Sequence, residues 1–441
     1  MIALEKGSKK LLNAWAFYDW ANSVYNLVIS SAIFPIFYGA LFREAGIEKI
    51  KVFGGWVERA PLISYVTAAA FLIVSLISPF LSGIADYLGN KKVFLKFFCY
   101  LGALSCIGLY WFSLEAIYFG LLCYFFALIG FWASQVYYNS YLPDIAFPEQ
   151  HDAVSAKGYS LGYIGSVILL IVNLLMIMKY EWFGFEGAGE PTRLSFIMVG
   201  IWWMGFSQYT FYYLPKGHSK GKKVTRDLIF NGFKELRGVW NRLGESPLLK
   251  GYLAAFFVYS MGVQTVMLAA TYFAEEELAW KSDSERTTGL IISILIIQLV
   301  AVLGAILTSM ASNKFGNIRT LIFINIFWLT ICCFAFFVIT PVHFYAIASC
   351  VGLVMGGIQS LSRSTYSKFL PETEDTTSFF SFYDVSEKVG IVIGMLIYGF
   401  VAQVTGSMRN SVLFLGLFFL VGIILLYRIP RKKENKKAPS N

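Results

Sequence analysis

The chain has 441 residues, of which 57% are hydrophobic, 18% aromatic and only 14% charged. A soluble protein cannot bury so much apolar surface, because its exterior must be largely polar or charged; lipid is the solvent that suits this composition. The formal charge of +9 is concentrated in both terminal segments and one central segment, as in the inner loops of a multi-pass membrane protein. We therefore exclude nucleic acid as a partner and expect a lipid bilayer around the chain.

Twelve apolar runs are long enough to cross a bilayer, which takes about 20 residues each. Helix is the only state expected for them, since a lipid-exposed backbone must satisfy its own hydrogen bonds. They form two sets of six with a polar segment between, which predicts an all-α integral membrane protein of two pseudo-symmetric six-helix bundles. Numbered helix 1 to helix 12, the runs fall near 13–41, 61–85, 93–114, 116–143, 155–178, 193–214, 249–273, 287–311, 319–340, 342–370, 379–405 and 410–428.

The predicted domains are residues 1–214, the basic linker 215–248 and residues 249–441 with a short basic tail. Lysine and arginine asymmetry places both termini, the linker and the loop holding Lys91 in the cytoplasm. We expect a multi-pass protein of a bacterial inner membrane, or of an organellar membrane if the source is eukaryotic. We also expect a monomer.

Helix 1 carries the clearest polar set within the predicted spans. Asp19, Asn22 and Asn26, with two serines, follow helical spacing and so share one face, and Tyr18 flanks them. The serines are expected to bond to neighbouring helices. The cost of burying Asp19 with the two asparagines favours a water-filled cavity between the halves.

A turn motif follows helix 2 and returns after helix 8. Ser82-x3-Asp86-x2-Gly89-Asn90 is repeated as Ser309-x3-Asn313-x2-Gly316-Asn317. Glycine allows the tight turn, and Asp86 with Lys91 is expected to form charge contacts that change with conformation. The predicted latch therefore comprises Asp86, Gly89, Lys91, Asn313 and Gly316, and is weaker in the second half, where asparagine replaces the acid. The alternative is an ordinary loop with a turn glycine.

A second repeat relates helix 4 to helix 10. Ser134-x3-Tyr138-x3-Leu142-Pro143 returns as Ser362-x3-Tyr366-x3-Leu370-Pro371. Two such repeats indicate a duplicated bundle, and halves built alike usually place a binding site between them. The candidate site residues on these helices are Gln135, Tyr138, Asn139, Gln359 and Arg363.

Arg363 is the strongest of these candidates, and the repeat aligns it with Gln135. Its guanidinium suits a carboxylate on a solute. The alternative is an internal ion pair, for instance with Asp384, that closes the inner gate.

The linker has two interpretations. The stretch from Asp227 to Leu243 has an apolar face that includes Phe233 and Val239. It is either a helix lying on the inner membrane surface or a solvated tether.

Helices 7 and 11 supply the last candidates, Gln264, Tyr383 and Lys388. An embedded glutamine also commonly bonds one helix to another. Asp384 and Lys388 are four residues apart, so they either neutralise each other or extend to water from the inner end of the helix.

Three longer sequence motifs resemble those of a known family. Tyr18–Ser23 (YDWANS), Tyr138–Pro143 (YNSYLP) and Gly356–Ser364 (GGIQSLSRS) are similar to the UMF branch of the major facilitator superfamily. That branch includes the vacuole-effluxer-like proteins, whose yeast member is an autophagy-related vacuolar amino-acid exporter. The resemblance implies the major facilitator fold and export of amino acids or similar solutes. It also leads us to expect an acid near Met261, where none stands, which puts proton coupling through helix 7 in doubt.

These observations predict a secondary transporter that moves a small polar solute by alternating access, without cofactor or metal. A proton or sodium ion is the expected coupling ion, and Asp19 is the hypothesised proton carrier. An enzyme is not expected, because the three histidines are scattered and no hydrolase motif occurs. The alternatives are a non-transporting sensor or scaffold on a transporter fold, and a carrier of nucleosides or betaines.

Overall fold

The computed structural model describes residues 4–52, 54–217 and 228–430, and long helices dominate them. Each predicted run overlaps one of twelve long helical segments, and its ends differ from those of the helix by no more than about six residues. In the first half these are Lys9–Glu44, Arg59–Leu88, Lys91–Gly108, Ile117–Ser140, His151–Met178 and Gly189–Tyr213. In the second half they are Pro247–Glu277, Asp283–Phe315, Asn317–Ala335, Pro341–Phe369, Thr376–Thr405 and Met408–Tyr427. The predicted all-α membrane fold is confirmed.

Eleven of these helices, among the described residues, are long and apolar enough to cross a membrane. Helix 6, Gly189–Tyr213, is not one of the eleven; it carries Glu190, Arg193 and Gln208. Its Trp203 is nevertheless fully buried in the first bundle. Helix 6 is thus less apolar than the other eleven helices, but it still packs into the first bundle.

Helix 1 changes its winding in the middle. An α-helix over Lys9–Val24 passes into a π-helix over Tyr25–Ile33 and returns to an α-helix over Phe34–Glu44. Pro35 at the start of the last segment has no N–H to donate and would clash with the preceding turn of a regular helix. The wider π turn accommodates it, and turns of this kind are frequent at functional sites.

A short hairpin joins helices 1 and 2 where the sequence indicated only a loop. Strands β1, Lys49–Val52, and β2, Gly55–Glu58, pair antiparallel, with Lys49 opposite Glu58. These two side chains form an exposed ion pair at 3.3 Å.

Two hydrophobic cores underlie the two bundles. One cluster is built from residues of helices 1 to 6 around Trp15 and Trp203. The other is built mainly from residues of helices 7 to 12 around Trp328 and Phe419, whose rings stack at 5.4 Å, and also includes Val136 and Tyr163 of the first half. Helix 5 packs along helices 8 and 10, and helix 11 packs along helices 2 and 4. These four contacts form most of the interface between the halves.

The linker contains a helix, Leu228–Glu245. Val239 and Leu243 are buried, and the helix packs mainly against helix 2. Arg242 donates to Asp375, just before helix 11, at 2.5 Å. This end of the predicted amphipathic helix therefore contacts protein; residues 218–227, and the side chains of Leu228 to Phe233, lie outside the described part.

Both described chain ends lie on one face of the bundle, here called the terminal face. The chain crosses an even number of times, and the segment before helix 1 is fixed next to the end of helix 4 by Gly7 N–H donating to Ile145 O at 2.7 Å. Helices 2, 4, 8 and 10 therefore end at this face, and helices 5 and 11 begin there.

Candidate functional site

An ion pair joins the two halves in the interior. Asp19 of helix 1 and Arg363 of helix 10 approach to 3.1 Å, and their side chains are only 6% and 2% exposed. Asp19 lies about 15 Å along helix 1 from Lys9. Neither residue faces lipid, as the cost of burying a charge requires.

Further hydrogen bonds engage Asp19 Oδ2 and all three nitrogens of the Arg363 guanidinium. The Tyr138 hydroxyl donates to Asp19 Oδ2 at 2.8 Å. Arg363 donates through Nε to Ser155 Oγ at 2.9 Å, through Nη2 to Ser155 O at 3.0 Å and through Nη1 to Asn139 Oδ1 at 3.2 Å. The guanidinium also lies over the rings of Tyr159, Trp15 and Tyr138, at 4.2, 4.8 and 5.5 Å. A buried ion pair is tolerated when its remaining donors and acceptors are occupied in this way.

Gly158 of helix 5 gives the ion pair its space. A Cβ there would lie 2.4 Å from Asp19 Oδ2 and 3.0 Å from Arg363 Nη2. One turn on, a Cβ at Gly162 would lie 2.4 Å from Ser23 Oγ. Gly158 and Gly162 thus allow helix 5 to pack closely against Asp19 and Ser23 of helix 1.

The polar residues of helix 1 differ in their exposure. Asn22 is fully buried, its Nδ2 has no partner in the described structure, and its Oδ1 accepts from Ser23 at 3.4 Å. Tyr18 is also fully buried within the first bundle. Asn26 is exposed and lies in the π-helix. The winding changes at Tyr25, between Asn22 and Asn26.

The facing groups of helices 4 and 10 are only partly brought together. Gln135 is half-buried and does not contact Arg363, which instead bonds to Asn139 one turn away. Gln359 accepts from the Tyr163 hydroxyl of helix 5 at 2.7 Å, a second link between the halves.

Asp384 pairs with Lys388 on the same helix, so the suggested ion pair of Arg363 with Asp384 is not formed. The Lys388 ammonium contacts Asp384 Oδ1 and lies 4.4 Å from the centre of the Trp132 ring. Both residues are buried, which favours mutual neutralisation over extension to water.

A small cleft lined by polar and aromatic side chains lies beside these groups. Helix 5 supplies one lining residue, and helices 7, 10 and 11 supply the others. Of the predicted candidates, Gln264, Gln359 and Tyr383 line it. The Gln264 amide donates to Glu387 Oε1 at 2.5 Å, and Tyr383 stacks on Phe256 at 4.1 Å.

Several lining and pairing residues were not among the predicted site residues. Ser155, Tyr159 and Tyr163 of helix 5 carried no sequence signal, because serine and tyrosine are common in membrane helices. Glu387 did carry one, as a carboxylate within a span.

The first latch motif contacts the start of helix 11. Asp86 accepts from the backbone N–H groups of Ser378 at 2.7 Å and Thr377 at 3.3 Å. Lys91 contacts Asp144 at 2.6 Å and donates to Thr376 Oγ1 at 2.9 Å. Gly89 ends helix 2 with φ of 66°, a left-handed conformation that favours glycine.

The second motif makes its contacts through different residues. Asn313 is exposed, and Gly316 forms the turn with φ of 85°. Polar contacts across the halves come instead from Ser312 and Asn317, which donate to Asp152 at 2.7 and 2.9 Å. The acid missing from the second motif is thus supplied by the first half.

Asp152 forms a further contact that strengthens this second cluster. Lys368, at the end of helix 10, donates to Asp152 at 2.7 Å. The second cluster therefore holds a full ion pair, and the expectation of a weaker second latch does not follow from its geometry.

Comparisons with known proteins agree with this architecture. A sequence model described as vacuole effluxer Atg22 like matches residues 7–151 and 147–439. The MFS-type transporter YxiO of Bacillus subtilis (strain 168) is 30% identical over 423 residues, 95% of this chain and 95% of its own length. Autophagy-related protein 22 of Saccharomyces cerevisiae is 24% identical over 437 residues, 87% of this chain and 80% of its own.

Solved structures show the same fold at low sequence identity. A variant of the E. coli fucose:proton symporter FucP superposes with a TM-score of 0.68 at 14% identity, covering 96% of this chain and 98% of its own. The proton:xylose symporter XylE superposes with a TM-score of 0.68 at 13% identity, covering 96% and 95%.

Proposed function

Because this chain belongs to the vacuole effluxer Atg22-like family of major facilitator transporters, we propose that it carries a small polar solute, an amino acid or a similar compound, by alternating access. The family is one of transporters and not of enzymes. The solute binds in the cleft lined by Gln264, Gln359 and Tyr383.

The observation that carries this proposal is the position of the Asp19–Arg363 ion pair between the halves, next to the cleft. Tyr159 borders both, since its ring lines the cleft and lies 4.2 Å from the Arg363 guanidinium. The described polar contacts between the halves run from the terminal face to the Tyr163–Gln359 hydrogen bond. A solute leaving the cleft toward the terminal face therefore requires these contacts to break.

The ion pair also favours one role for Arg363. Its donors are already directed to Asp19, Ser155 and Asn139. A solute carboxylate would have to displace Asp19 from a buried site, at the cost of an unpaired charge. Arg363 thus serves as half of an internal gate, and a solute carboxylate is not its partner in this conformation.

Asp19 remains the proposed proton carrier. Protonation would remove its charge, weaken its attraction to Arg363 and favour separation of the halves at the terminal face. Movement of a proton would then be linked to movement of the gate. Sodium is the alternative coupling ion, and a proton-gradient dependence lost in Asp19→Asn distinguishes the two.

The test of function is solute exchange in vesicles that contain only this protein. Vesicles preloaded with unlabelled amino acids, nucleosides or betaines are given trace labelled solute, and counterflow is measured. We expect accumulation for at least one class in wild type and none in empty vesicles. A sensor or scaffold predicts no flux for any solute, and that outcome would overturn the proposal.

We further propose that the terminal face is cytoplasmic and that the protein acts as a monomer in a bacterial plasma membrane, or in an organellar membrane if the source is eukaryotic. The basic residues near this face, including Lys91 and Lys314, support the orientation. Labelling of a cysteine at exposed Glu149 by a membrane-impermeant reagent tests it: the proposal requires protection in intact cells and labelling after permeabilisation.

A further inference from the structure

Glu387 is a carboxylate in the cleft with no positively charged partner. Of the charged groups near the cleft, Asp19 is paired with Arg363 and Asp384 with Lys388. In the described part of the chain, no lysine or arginine lies within ion-pair distance of Glu387, whose Oε1 accepts only from the neutral Gln264 amide. The cleft therefore carries one uncompensated negative charge.

This charge lies well inside the membrane. Glu387 is about 17 Å along helix 11 from Thr376, in a helix about 45 Å long. An isolated charge at such a depth costs several kcal/mol unless something compensates it. A cation brought by the solute is the compensation that a transport cycle would supply.

Four aromatic rings line part of the cleft. Tyr159, Phe256, Tyr259 and Tyr383 all contribute to its wall. The face of an aromatic ring attracts a cation, and clusters of such rings recognise ammonium groups. The same wall already demonstrates this chemistry, because the Tyr159 ring lies 4.2 Å from the Arg363 guanidinium.

Hydrogen bonds hold the wall in place. The Tyr259 hydroxyl and Ser362 Oγ are 2.7 Å apart, and the Tyr252 and Tyr259 hydroxyls are 3.1 Å apart. The Gln264 amide fixes one oxygen of Glu387 and leaves its second oxygen for the solute. The site is therefore largely formed before a solute arrives, which lowers the entropy cost of binding.

We propose that the cleft recognises a solute bearing a positively charged nitrogen, and that Glu387 supplies the counter-charge. This inference rests on the proposed transport function and names the chemical group that the cleft selects. The ammonium bonds to the Glu387 carboxylate while its carbon substituents contact Phe256 and Tyr383. A separate solute carboxylate is not required for binding.

The charges around the cleft disfavour an anionic solute. Arg363 and Lys388 are each occupied by an aspartate, and the neutral polar lining groups are Ser260, Gln264, Gln359 and Ser362. An anion would meet the Glu387 carboxylate without a free cation to offset the repulsion. A zwitterion binds through its ammonium and directs its carboxylate toward the hydroxyl and amide groups.

The test measures binding of three small probes to the purified full-length protein by titration calorimetry. Alanine carries both an ammonium and a carboxylate, ethylamine only the ammonium, and propionate only the carboxylate. We expect wild type to bind alanine and ethylamine and to bind propionate at least about tenfold more weakly. Glu387→Gln, which keeps the size and can keep the bond to Gln264, should weaken ethylamine binding by about 10- to 100-fold.

Two further variants make the result specific to the charge in the cleft. Glu149→Gln removes an exposed carboxylate at the terminal face and should bind ethylamine as wild type does. Glu387→Asp keeps the charge on a shorter side chain and should weaken ethylamine binding less than Glu387→Gln. Elution of every variant as a single monodisperse peak checks that the fold is intact.

Four outcomes would overturn the inference. The first is that wild type does not bind ethylamine, and the second is that propionate binds more tightly than ethylamine. The third is that Glu387→Gln binds ethylamine as tightly as wild type. The fourth is that Glu387→Asp loses as much affinity for ethylamine as Glu387→Gln does. The third outcome would assign Glu387 to a coupling proton. Vesicles that exchange only solutes without a positively charged nitrogen would refute the inference while transport stands, whereas vesicles that exchange nothing would refute transport itself.

Discussion

Asp19 and Arg363 are 344 residues apart in sequence and form the buried centre of the interface. Such a pair contributes little net stability, because the loss of hydration offsets the attraction between the charges. Removing one partner is a different matter, since the other charge then remains buried alone. The pair is thus suited to a gate that is stable when complete and opens when either charge is neutralised.

A double-mutant cycle tests this coupling. Asp19→Asn or Arg363→Gln alone should each lower the free energy of unfolding by about 3–5 kcal/mol. The double variant should lose clearly less than the sum of the two, because no unpaired charge remains. Thermal or denaturant unfolding of the purified variants measures the three values, and strictly additive losses would contradict a direct pair.

Gly158 provides the second test at the scale of single residues. Gly158→Ala places a methyl group 2.4 Å from Asp19 Oδ2, so the ion pair must move, at a cost of about 1–3 kcal/mol. Gly205→Ala is the matched control, because a Cβ at Gly205 meets nothing within 4 Å. Unfolding midpoints should fall for the first variant and hold or rise for the second. Equal midpoints would show that Gly158 has no such steric role.

Helix termini are used as donors at the terminal face. The first N–H groups of a helix lack partners within it and carry partial positive charge. Asp86 of helix 2 accepts from two such groups at the start of helix 11, and so connects one element of each half. Because the bonds go to backbone, substitutions in helix 11 leave this contact in place.

Asp86→Asn should shift the protein toward states with the terminal face open. The amide keeps one acceptor but loses the charge–dipole attraction, worth up to about 2 kcal/mol in a partly buried setting. Spin labels at exposed Glu149 and Asn313, in a background without the six native cysteines, report the distance between the halves by pulsed electron resonance. The variant should add a longer-distance population.

Glu245→Gln is the control for this measurement, since it removes an exposed carboxylate from the end of the linker helix. It should leave the distance distribution unchanged. The same distribution in Asp86→Asn as in wild type would mean that the contact does not hold the face closed.

At the level of elements, the sequence correctly predicted twelve long helices. Apolar runs determine where helices cross, and the repeats indicated two related bundles. The change to π winding in helix 1 was not predictable from polar spacing, although Pro35 marks the place. Asn26, which lies in this π segment, stays a predicted cavity residue.

The sequence identified site residues only where a single residue gives the signal, as a charged side chain within a predicted span does. Asp19 and Arg363 stand out because a charge within a span needs a reason, but their pairing depends on packing between distant helices. Glu387 was passed over because Asp384 and Lys388 have the more obvious helical spacing. Asn313 was selected from the repeat, whereas the geometry uses Ser312, Asn317 and Asp152, a rearrangement that alignment of the halves does not reveal.

At the scale of the whole molecule, two bundles with separate cores meet along helices 5, 8 and 10 and along helices 2, 4 and 11. Alternating access requires such halves to move as units. The linker helix packs against helix 2 of the first half and contacts Asp375 of the second half. It therefore also connects the halves at the terminal face.

Cutting the linker tests whether contacts between helices hold the halves together. A protease site inserted between residues 217 and 228 should, after cleavage, yield two fragments that still co-elute from a sizing column in mild detergent. Uncleaved protein with the same insertion is the control. Separation of the fragments would show that covalent connection is needed to maintain the interface.

The closed face has one further property, which concerns the sign of its charges. Asp19, Asp86 and Asp152 all belong to the first half, and they face Arg363, helix 11 N–H groups and Lys368 of the second. Two first halves brought together at this surface would oppose carboxylate to carboxylate. The two halves share a repeated sequence pattern, but their charges at this surface differ. Electrostatic repulsion therefore disfavours pairing of two first halves from neighbouring molecules.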